Sequence, residues 1–276
     1  MAATQRPVRA RPRARRVVPA FYSLLGLLTL LGLWSATTYW IVFDPYILPP
    51  PWLVAQRMWE LLGEGLVFSN FASSLGKTFL GWLFAFAIGI PLGLAMGRYR
   101  YAKAFLNDFV YLVSNVPAIF WAVMSILLFG INPLGAAFIV MIVVLPVVLL
   151  NIAAGVESVD RELLGMSRAF KVRRMLVVRS VVLPTILPFV LAGARVSFAN
   201  SWKIEALTEL FGGRRGVGYQ IGQAFGRYSV VDTLAWMFFF VIFVVLFERI
   251  VLVRLERWLF RWRPMLSESS VVTVQG

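Results

Sequence analysis

Long apolar runs separated by short charged segments dominate the chain. Residues 78–97 carry no charged side chain over 20 positions, and residues 109–156 carry none over 48. Twenty apolar residues are enough to cross a hydrocarbon core of about 30 Å, whereas 48 are too many for one helix. The turn-forming sequence GINPLG at 130–135 divides the longer run. The pattern therefore predicts an all-α membrane protein with six transmembrane helices, at about 18–43, 78–97, 109–129, 134–154, 184–210 and 234–253.

Proline and glycine positions refine these helices. Pro117, preceded by Ser114 and Asn115, predicts a break or kink in the third helix, because proline lacks a backbone N–H. After the prolines at 49–51, a short amphipathic helix over about 52–66 is expected on the outer face. The glycines at 89, 93 and 97 form a small-xxx-small helix face. Packing inside the subunit is the favoured interpretation of that face, and a subunit interface is the alternative.

The distribution of charge predicts the orientation in the membrane. Of the 27 Lys and Arg, twenty fall in 1–17, in 98–103, in 155–183 and from 249 onward, and four fall in the segments predicted outside. Because positive residues gather on the cytoplasmic side, both termini are expected in the cytoplasm. The organisation is a basic tail over 1–17, one transmembrane domain over 18–263 and a loose tail over 264–276.

The net charge of +14 raises the question of a nucleic-acid partner. The cationic residues cluster at the ends of apolar segments, as membrane topology requires, so no nucleic acid is expected. The basic tail is expected to lie against anionic lipid headgroups instead.

Composition excludes several kinds of chemistry. Hydrophobic residues make up 60% of the chain and charged residues 14%, compared with about a quarter charged in soluble domains. The sequence has no His and no Cys, which excludes a histidine zinc site, a Ser-His-Asp triad and a cysteine nucleophile within this chain. We therefore expect neither catalytic nor metal-binding residues. Glu205 and Glu209, at i and i+4 on one helix face, are the only obvious acid pair.

A polar, basic segment over 155–183 interrupts the apolar pattern. Val159, Leu163, Met166 and Phe170 recur at helical spacing and form an apolar stripe on a charged helix. Asp160 is expected to cap the start of that helix. A long loop with its own amphipathic helix is typical of a docking site for a partner, and a helix lying on the membrane surface is the alternative.

This segment resembles the cytoplasmic EAA loop of bacterial ABC importer permeases. That pattern is Glu-Ala-Ala, three residues, Gly, nine residues, Ile, one residue and Leu-Pro. It falls here on Gly165-Met166-Ser167, Lys171, Val181 and Leu183-Pro184. The sequences SVDRELL at 158–164 and VVLPTILP at 181–188 are similar to those of the nitrate, sulfonate and taurine subfamily. The resemblance extends from about residue 48 to about residue 221. Two positions depart from the pattern, since Gly165 replaces the opening Glu and Lys171 replaces the internal Gly.

The resemblance implies a type I ABC importer-like permease fold in the bacterial plasma (inner) membrane, with several passes. It implies two ATPase subunits that bind ATP and Mg, since this chain has neither a cofactor of its own nor a Gly-x-x-x-x-Gly-Lys-Ser/Thr phosphate loop. A second permease copy or a paralogous permease, a periplasmic or lipid-anchored solute-binding protein, a small solute and membrane lipid complete the expected partners. The residues expected to couple to the ATPase are Asp160, Arg161, Glu162, Leu163, Leu164, Gly165, Met166, Ser167, Arg168, Ala169, Phe170 and Lys171.

At Lys171 the turn cannot rely on the freedom that glycine has at positive φ.

Two further regions are candidates for contact with the solute or with the binding protein. Polar residues at membrane depth are expected to line the translocation path, with structural packing as the alternative; they are Ser114, Asn115, Pro117, Asn200, Ser201, Lys203 and Glu205. A glycine-rich segment after the fifth span is expected to form an outer gate or a binding-protein contact, with a flexible loop as the alternative; its residues are Gly212, Gly213, Gly216, Gly218 and Tyr219.

The leading function predicted from the sequence is therefore the permease subunit of an ATP-driven importer, which is not itself an enzyme. The alternative is a single-chain secondary transporter or channel, although such proteins commonly show internal repeats and none is visible here. An intramembrane enzyme would have to rely on Glu205 and Glu209 without His, Cys or a metal cluster.

Overall fold

A computed structural model describes residues 17–252 and residue 254. The predicted basic tail, apart from Val17, and the predicted tail over 264–276 lie outside the described residues. Within the described part of the chain every regular element is a helix, which confirms the all-α prediction.

Eleven α-helices run through the described residues, and three π-helical turns extend them. The helices are α1 (Val17–Thr37), α2 (Pro51–Gly63), α3 (Leu66–Arg98), α4 (Arg100–Asn115), α5 (Ala118–Phe129), α6 (Pro133–Glu157), α7 (Arg161–Ala169), α8 (Arg174–Val177), α9 (Leu183–Gly212), α10 (Val217–Gly226) and α11 (Val230–Phe247). The π turns are Thr38–Val42 after α1, Val178–Val182 between α8 and α9, and Glu248–Leu252 after α11.

Five helical stretches of the described chain are long and apolar enough to cross a membrane, and a sixth is obtained if α4 and α5 count as one broken span. The five are Leu25–Val42, Leu66–Arg98, Pro133–Glu157, Arg174–Gly212 and Val230–Ile250. Two helices begin well before the predicted spans that they carry. One begins at Leu66 rather than near 78, because the charged Lys77 forms ion pairs with Glu205 and Glu209 inside the protein. The other begins at Arg174 rather than near 184, because the π turn joins α8 continuously to α9.

The predicted break at Pro117 is confirmed. α4 ends at Asn115 and α5 begins at Ala118, and the two helices are bent by 95°. Val116 has an extended backbone with φ −80° and ψ 123°, as expected for a residue before proline. The third predicted span, 109–129, is therefore two helices rather than one.

The glycine face of α3 packs against α6 inside the subunit. The glycines are Gly81, Gly89, Gly93 and Gly97. A Cβ added at Gly93 would lie 2.8 Å from the Cβ of Ile152, and one added at Gly89 would lie 2.6 Å from Cγ1 of Val148. The β-branched side chains of α6 occupy the space that the glycines leave, so the helices approach closely. This confirms the favoured interpretation of the glycine pattern.

Aromatic rings fix one side of α9. The Trp202 ring lies 4.8 Å from Phe243, 5.9 Å from Phe240 and 6.0 Å from Phe71, measured between ring centroids. Phe240 and Phe243 belong to α11, and Phe71 belongs to α3. α9 is held between these two helices by its Trp202 side and packs on α6 as well, and it leaves uncovered the side that carries Lys203.

The predicted amphipathic helix at 52–66 is α2, and an ionic contact ties it to α11. Arg57 Nε donates to Asp232 Oδ1 at 2.6 Å, and Arg57 Nη1 lies 3.0 Å from Glu60 and 3.2 Å from Glu64. The hydrogen bond to Asp232 raises the pKa of Arg57, so the guanidinium remains charged. α2 is thereby held against the start of α11.

We predict that Gly93→Ala destabilises the protein, since the added methyl overlaps Ile152 where the two helices are in contact. Overpacking of this kind costs about 1–3 kcal/mol. Gly76→Ala is the matched control, because nothing lies within 4 Å of a Cβ at that position of the same helix, and alanine favours the helix. Thermal unfolding in detergent should show a lower midpoint for Gly93→Ala alone. Equal midpoints for the two variants would contradict the described α3–α6 packing.

Candidate functional site

An enclosed cluster of charges joins α3 to α9. Glu205 is 0% exposed and Glu209 is 1% exposed, and both face the mostly enclosed Lys77 of α3. Lys77 Nζ lies 3.1 Å from Glu205 Oε1 and donates a short hydrogen bond to Glu209 Oε1. Neither carboxylate oxygen of Glu205 accepts a hydrogen bond from another described residue. Ionic attraction to Lys77 is therefore what offsets the cost of burying this carboxylate.

Sequence reasoning placed the two glutamates on one face but did not identify Lys77 as their partner. A signal for it exists in α3, where Asn70, Ser74 and Lys77 recur at i, i+4 and i+7 on one face of the helix. Such a polar stripe indicates a buried polar contact with another helix.

The same stripe caps α10. Gly216 N–H donates to Asn70 Oδ1, and Val217 N–H donates to Ser74 Oγ, both at 2.9 Å. Gly218 N–H donates to Glu209 Oε2 at 2.9 Å. A helix start needs acceptors for its first N–H groups, and the capping residue Gly216 has no side chain to supply one. Side chains of α3 and α9 therefore hold the N-terminus of α10, where the carboxylate of Glu209 also suits the positive end of the helix dipole.

The glycines of the predicted outer segment have a geometric role. Gly216 has φ +129°, and a Cβ there would overlap the Glu209 carboxylate. A Cβ at Gly218 would overlap the carbonyl oxygen of Ala206, and one at Gly212 would lie 2.5 Å from Cδ1 of Ile126. Close backbone approach thus accounts for these glycines. Gly213 continues the segment between Gly212 and Arg214, and Tyr219 lies half-buried on α10.

The predicted path residues of α9 fall on two different sides of the helix. Ser201 is buried with its hydroxyl on the carbonyl of Ser197, and Glu205 is enclosed against Lys77. Lys203 is exposed and Asn200 is half-buried on the side that the described chain leaves uncovered. Lys203 forms no ion pair with another described residue. It lies nine positions before the end of α9, a rise of roughly 14 Å.

Other polar groups near membrane depth are placed as follows. Arg195 Nη2 lies 3.0 Å from Glu248 Oε1 and joins α9 to the turn after α11. Ser114, Asn115 and Pro117 are exposed at the 95° bend, where Asn115 Nδ2 donates to the carbonyl of Tyr111. The bend brings these three residues together. None of them forms a hydrogen bond with Lys203 in the described chain.

The helix of the basic segment is α7, and no residue of it is buried. Asp160 accepts a hydrogen bond from Glu162 N–H at 2.7 Å, which confirms the predicted cap. Val159 is buried, whereas Leu163, Met166 and Phe170 are exposed, with Phe170 reaching 77%. The apolar stripe therefore has one residue anchored in this chain and three that contact water in the isolated subunit.

Lys171 ends α7 in the left-handed region, with φ +52°. Lys171 N–H donates to the carbonyl of Arg168, and Val172 N–H donates to that of Ser167. The turn thus keeps positive φ without glycine at this position. Lysine adopts this conformation at a steric cost, because its Cβ crowds the backbone.

No group of three or more Asp, Glu, His or Cys in the described chain could hold a metal ion. Ion pairs and helix caps are formed by Arg57 with Asp232, by Lys77 with Glu205 and Glu209, and by Glu209 with Gly218 N–H.

The family described as "Binding-protein-dependent transport system inner membrane component" matches residues 89–263. The taurine transport system permease protein TauC of Escherichia coli (strain K12) is 26% identical, over 81% of this chain and 82% of its own length. The putative aliphatic sulfonates transport permease protein SsuC of Bacillus subtilis (strain 168) is 26% identical, over 93% and 92%. The bicarbonate transport system permease protein CmpB of Synechococcus elongatus is 27% identical, over 72% of each.

Solved structures show a similar fold. An inward-facing structure of the MetNI methionine ABC transporter has a TM-score of 0.55 at 22% identity, over 75% of this chain and 96% of the matched one. An amino acid ABC transporter with histidines has a TM-score of 0.59 at 17% identity, over 72% and 96%.

We predict that Glu209→Ala loosens α10, since Gly218 N–H and Ser74 lose their acceptor and Lys77 loses one of its partners. Losing hydrogen bonds to a charged group costs about 1.5–3 kcal/mol, so backbone amides over 216–222 should exchange with deuterium at least about tenfold faster. Glu64→Ala is the control, because Glu64 is a surface carboxylate paired only with Arg57 among the described residues. Unchanged exchange over 216–222 in Glu209→Ala would contradict the capping arrangement.

Proposed function

The chain belongs to the family of binding-protein-dependent transport system inner membrane components, and we propose that it carries a small oxyanionic solute across the membrane. It is the permease subunit of an ABC importer, and ATP hydrolysis belongs to a separate partner. Three parts of the proposal concern how the subunit couples to that ATPase, which residues meet the solute and which other proteins assemble with it.

The exposed apolar stripe of α7 is the observation that carries the coupling proposal. Leu163, Met166 and Phe170 face water in the isolated subunit, on a capped helix that lies outside the candidate spans. A rigid amphipathic helix of this kind fits a groove on a partner, with apolar anchors in the groove and charged residues at its rim. The segment Asp160–Lys171 would then be the ATPase-docking element, with Arg161, Glu162 and Arg168 at the rim.

The position of α7 in the chain supports transmission of movement to the membrane helices. It follows α6 after only Ser158, Val159 and Asp160, and it leads through α8 and a π turn into α9. When the ATPases close on ATP, they would move α7 as a rigid body and switch the permease between inward-open and outward-open states.

The relatives support an oxyanionic solute, since their names refer to taurine, aliphatic sulfonates, nitrate and bicarbonate. Lys203 supports the same class, because an exposed cation at membrane depth requires water, a solute or a neighbouring subunit. The path would run along the uncovered side of α9, past Asn200 and Lys203, and past the bend at Ser114, Asn115 and Pro117. The enclosed Ser201 and Glu205 would support this wall from behind.

The proposed assembly contains two ATPases, a second permease copy or paralogue, and a periplasmic or lipid-anchored binding protein. The family description supports the binding protein. Its docking surface would include Gly212, Gly213 and Tyr219, and the buried Gly216 and Gly218 would hold this segment in place. The excess of Lys and Arg in the segments assigned to the cytoplasm supports an orientation in which both termini lie on the ATPase side of the membrane. The lipid of the inner membrane would surround the assembly.

We predict that Phe170→Ala weakens ATPase binding by about 2 kcal/mol, or roughly thirtyfold, because Phe170 is the most exposed apolar anchor of α7. Phe225→Ala is the matched control, since Phe225 is 71% exposed at the end of α10, on a different helix. The yield of ATPase that co-purifies with each tagged variant measures the effect. Equal yields from Phe170→Ala and the parent chain, with normal membrane insertion, would refute the docking proposal.

We predict that Lys203→Ala lowers uptake of oxyanions into proteoliposomes that contain the complete transporter, by about tenfold, whereas Lys203→Arg retains most uptake. The charge, rather than the shape of the lysine, is what the path proposal requires. Taurine and nitrate are the probes, and ATPase co-purification checks assembly of each variant. Full uptake by Lys203→Ala would remove Lys203 from the proposed path, and absence of uptake of any oxyanion by the parent complex would contradict the solute class.

A further inference from the structure

A cavity of about 280 Å³ lies between α3, the turn from α5 to α6, and the segment that follows α9. It is large enough for a small organic or inorganic ion with some of its hydration. The polar and charged residues of its wall are Ser73, Lys77, Ser125, Asn132, Thr208, Glu209, Arg214 and Arg215.

The wall carries uncompensated positive charge. Arg214 and Arg215 are exposed, and their guanidinium groups make no hydrogen bond or ion pair with another described residue. The charge of Lys77 is already balanced by Glu205 and Glu209. Two cations beside a concave, partly apolar wall attract anions more strongly than the same cations on an open surface.

The cavity also offers a hydrogen-bond donor without a partner. Ser125 is 2% exposed and borders the cavity, and its hydroxyl forms no hydrogen bond with another described residue. By contrast, the Thr208 hydroxyl, also on the wall, donates to the carbonyl of Ile204. Because this hydroxyl borders the cavity and no described residue accepts its hydrogen, it is available to a ligand or to water there.

Glu209 borders the cavity as well, and its carboxylate would repel an anion if it were free. Its oxygens accept hydrogen bonds from Ser74, Lys77 and Gly218 N–H. Lys77 offsets only one of the two charges of Glu205 and Glu209, so the cluster keeps one formal negative charge, which the two arginines outweigh in the cavity. An occupant would also lie beside the cluster that holds the start of α10.

We propose that this cavity binds an oxyanion, with Arg214 and Arg215 supplying charge and Ser125 donating a hydrogen bond. Arginine suits this role because its planar guanidinium donates two parallel hydrogen bonds to a sulfonate, phosphate or carboxylate. The identification of the bound group as the oxyanion of the transported solute rests on the proposed function. A phospholipid headgroup offers the same chemistry, and the experiment separates the two sources.

The test uses the permease–ATPase complex in nanodiscs of neutral lipid, without binding protein, and methanesulfonate as the probe. Saturation-transfer NMR of the methanesulfonate methyl group gives its affinity, and methylammonium is the cationic comparison. We expect the paired variant Arg214→Gln/Arg215→Gln to bind methanesulfonate about tenfold more weakly, as the loss of charge-assisted hydrogen bonds implies. Ser125→Ala should weaken binding by a smaller factor. Arg227→Gln is the matched control, since Arg227 is an exposed arginine near α10 that does not border the cavity.

Equal affinity in the paired variant and the parent, or equal signals from methanesulfonate and methylammonium, would overturn the proposal. A methanesulfonate signal that disappears when phosphatidylglycerol is added would assign the cavity to lipid phosphate, and it would overturn the assignment of the bound oxyanion to the solute. The uptake assay judges the proposed function separately. If the parent complex takes up oxyanions but shows no arginine-dependent binding here, only the cavity proposal fails. If it takes up none, the solute class fails, while the binding result still decides the cavity.

Discussion

The ion cluster of Lys77, Glu205 and Glu209 is the interaction on which the arrangement of the permease depends. Two enclosed carboxylates on one helix face repel each other and are costly to bury, and Lys77 makes their burial tolerable. Their pairing fixes α9 on α3, and Glu209 then holds the start of α10. Because this cluster, the rings around Trp202 and the packing on α6 cover most of α9, the side that carries Lys203 is left for a solute or a partner subunit.

The cluster and the docking helix α7 lie toward opposite ends of one continuous stretch. Residues Arg174–Gly212 form a helix of 39 residues, roughly 58 Å long, that begins just after α7 and ends beside the cluster. In the proposed mechanism a movement imposed on α7 would be carried by this stretch to the end at which α10 is capped. The close packing of α3 on α6 through glycines provides a rigid body against which α9 could move.

Local sequence patterns predicted the helical class, the break at Pro117, the cap at Asp160 and the glycine face, because each depends on residues within one or two turns. The pairing of Lys77 with α9 could not be predicted in this way, since it joins residues more than 120 positions apart and no local rule selects the partner. The same pairing explains why α3 begins at Leu66, because a lysine that ends an uncharged run does not end a helix when its charge is compensated. At Lys171 the hydrogen bonds of the turn outweigh the preference of lysine for negative φ.

The most direct test of the central claim, that this subunit works only with an ATPase partner, is to isolate the tagged full-length chain from its native membrane after mild crosslinking and to identify what accompanies it by mass spectrometry. The account predicts an ATPase with a Gly-x-x-x-x-Gly-Lys-Ser/Thr phosphate loop, together with a second permease copy or paralogue. A chain that remains alone after crosslinking, and that transports solute by itself, would contradict the account.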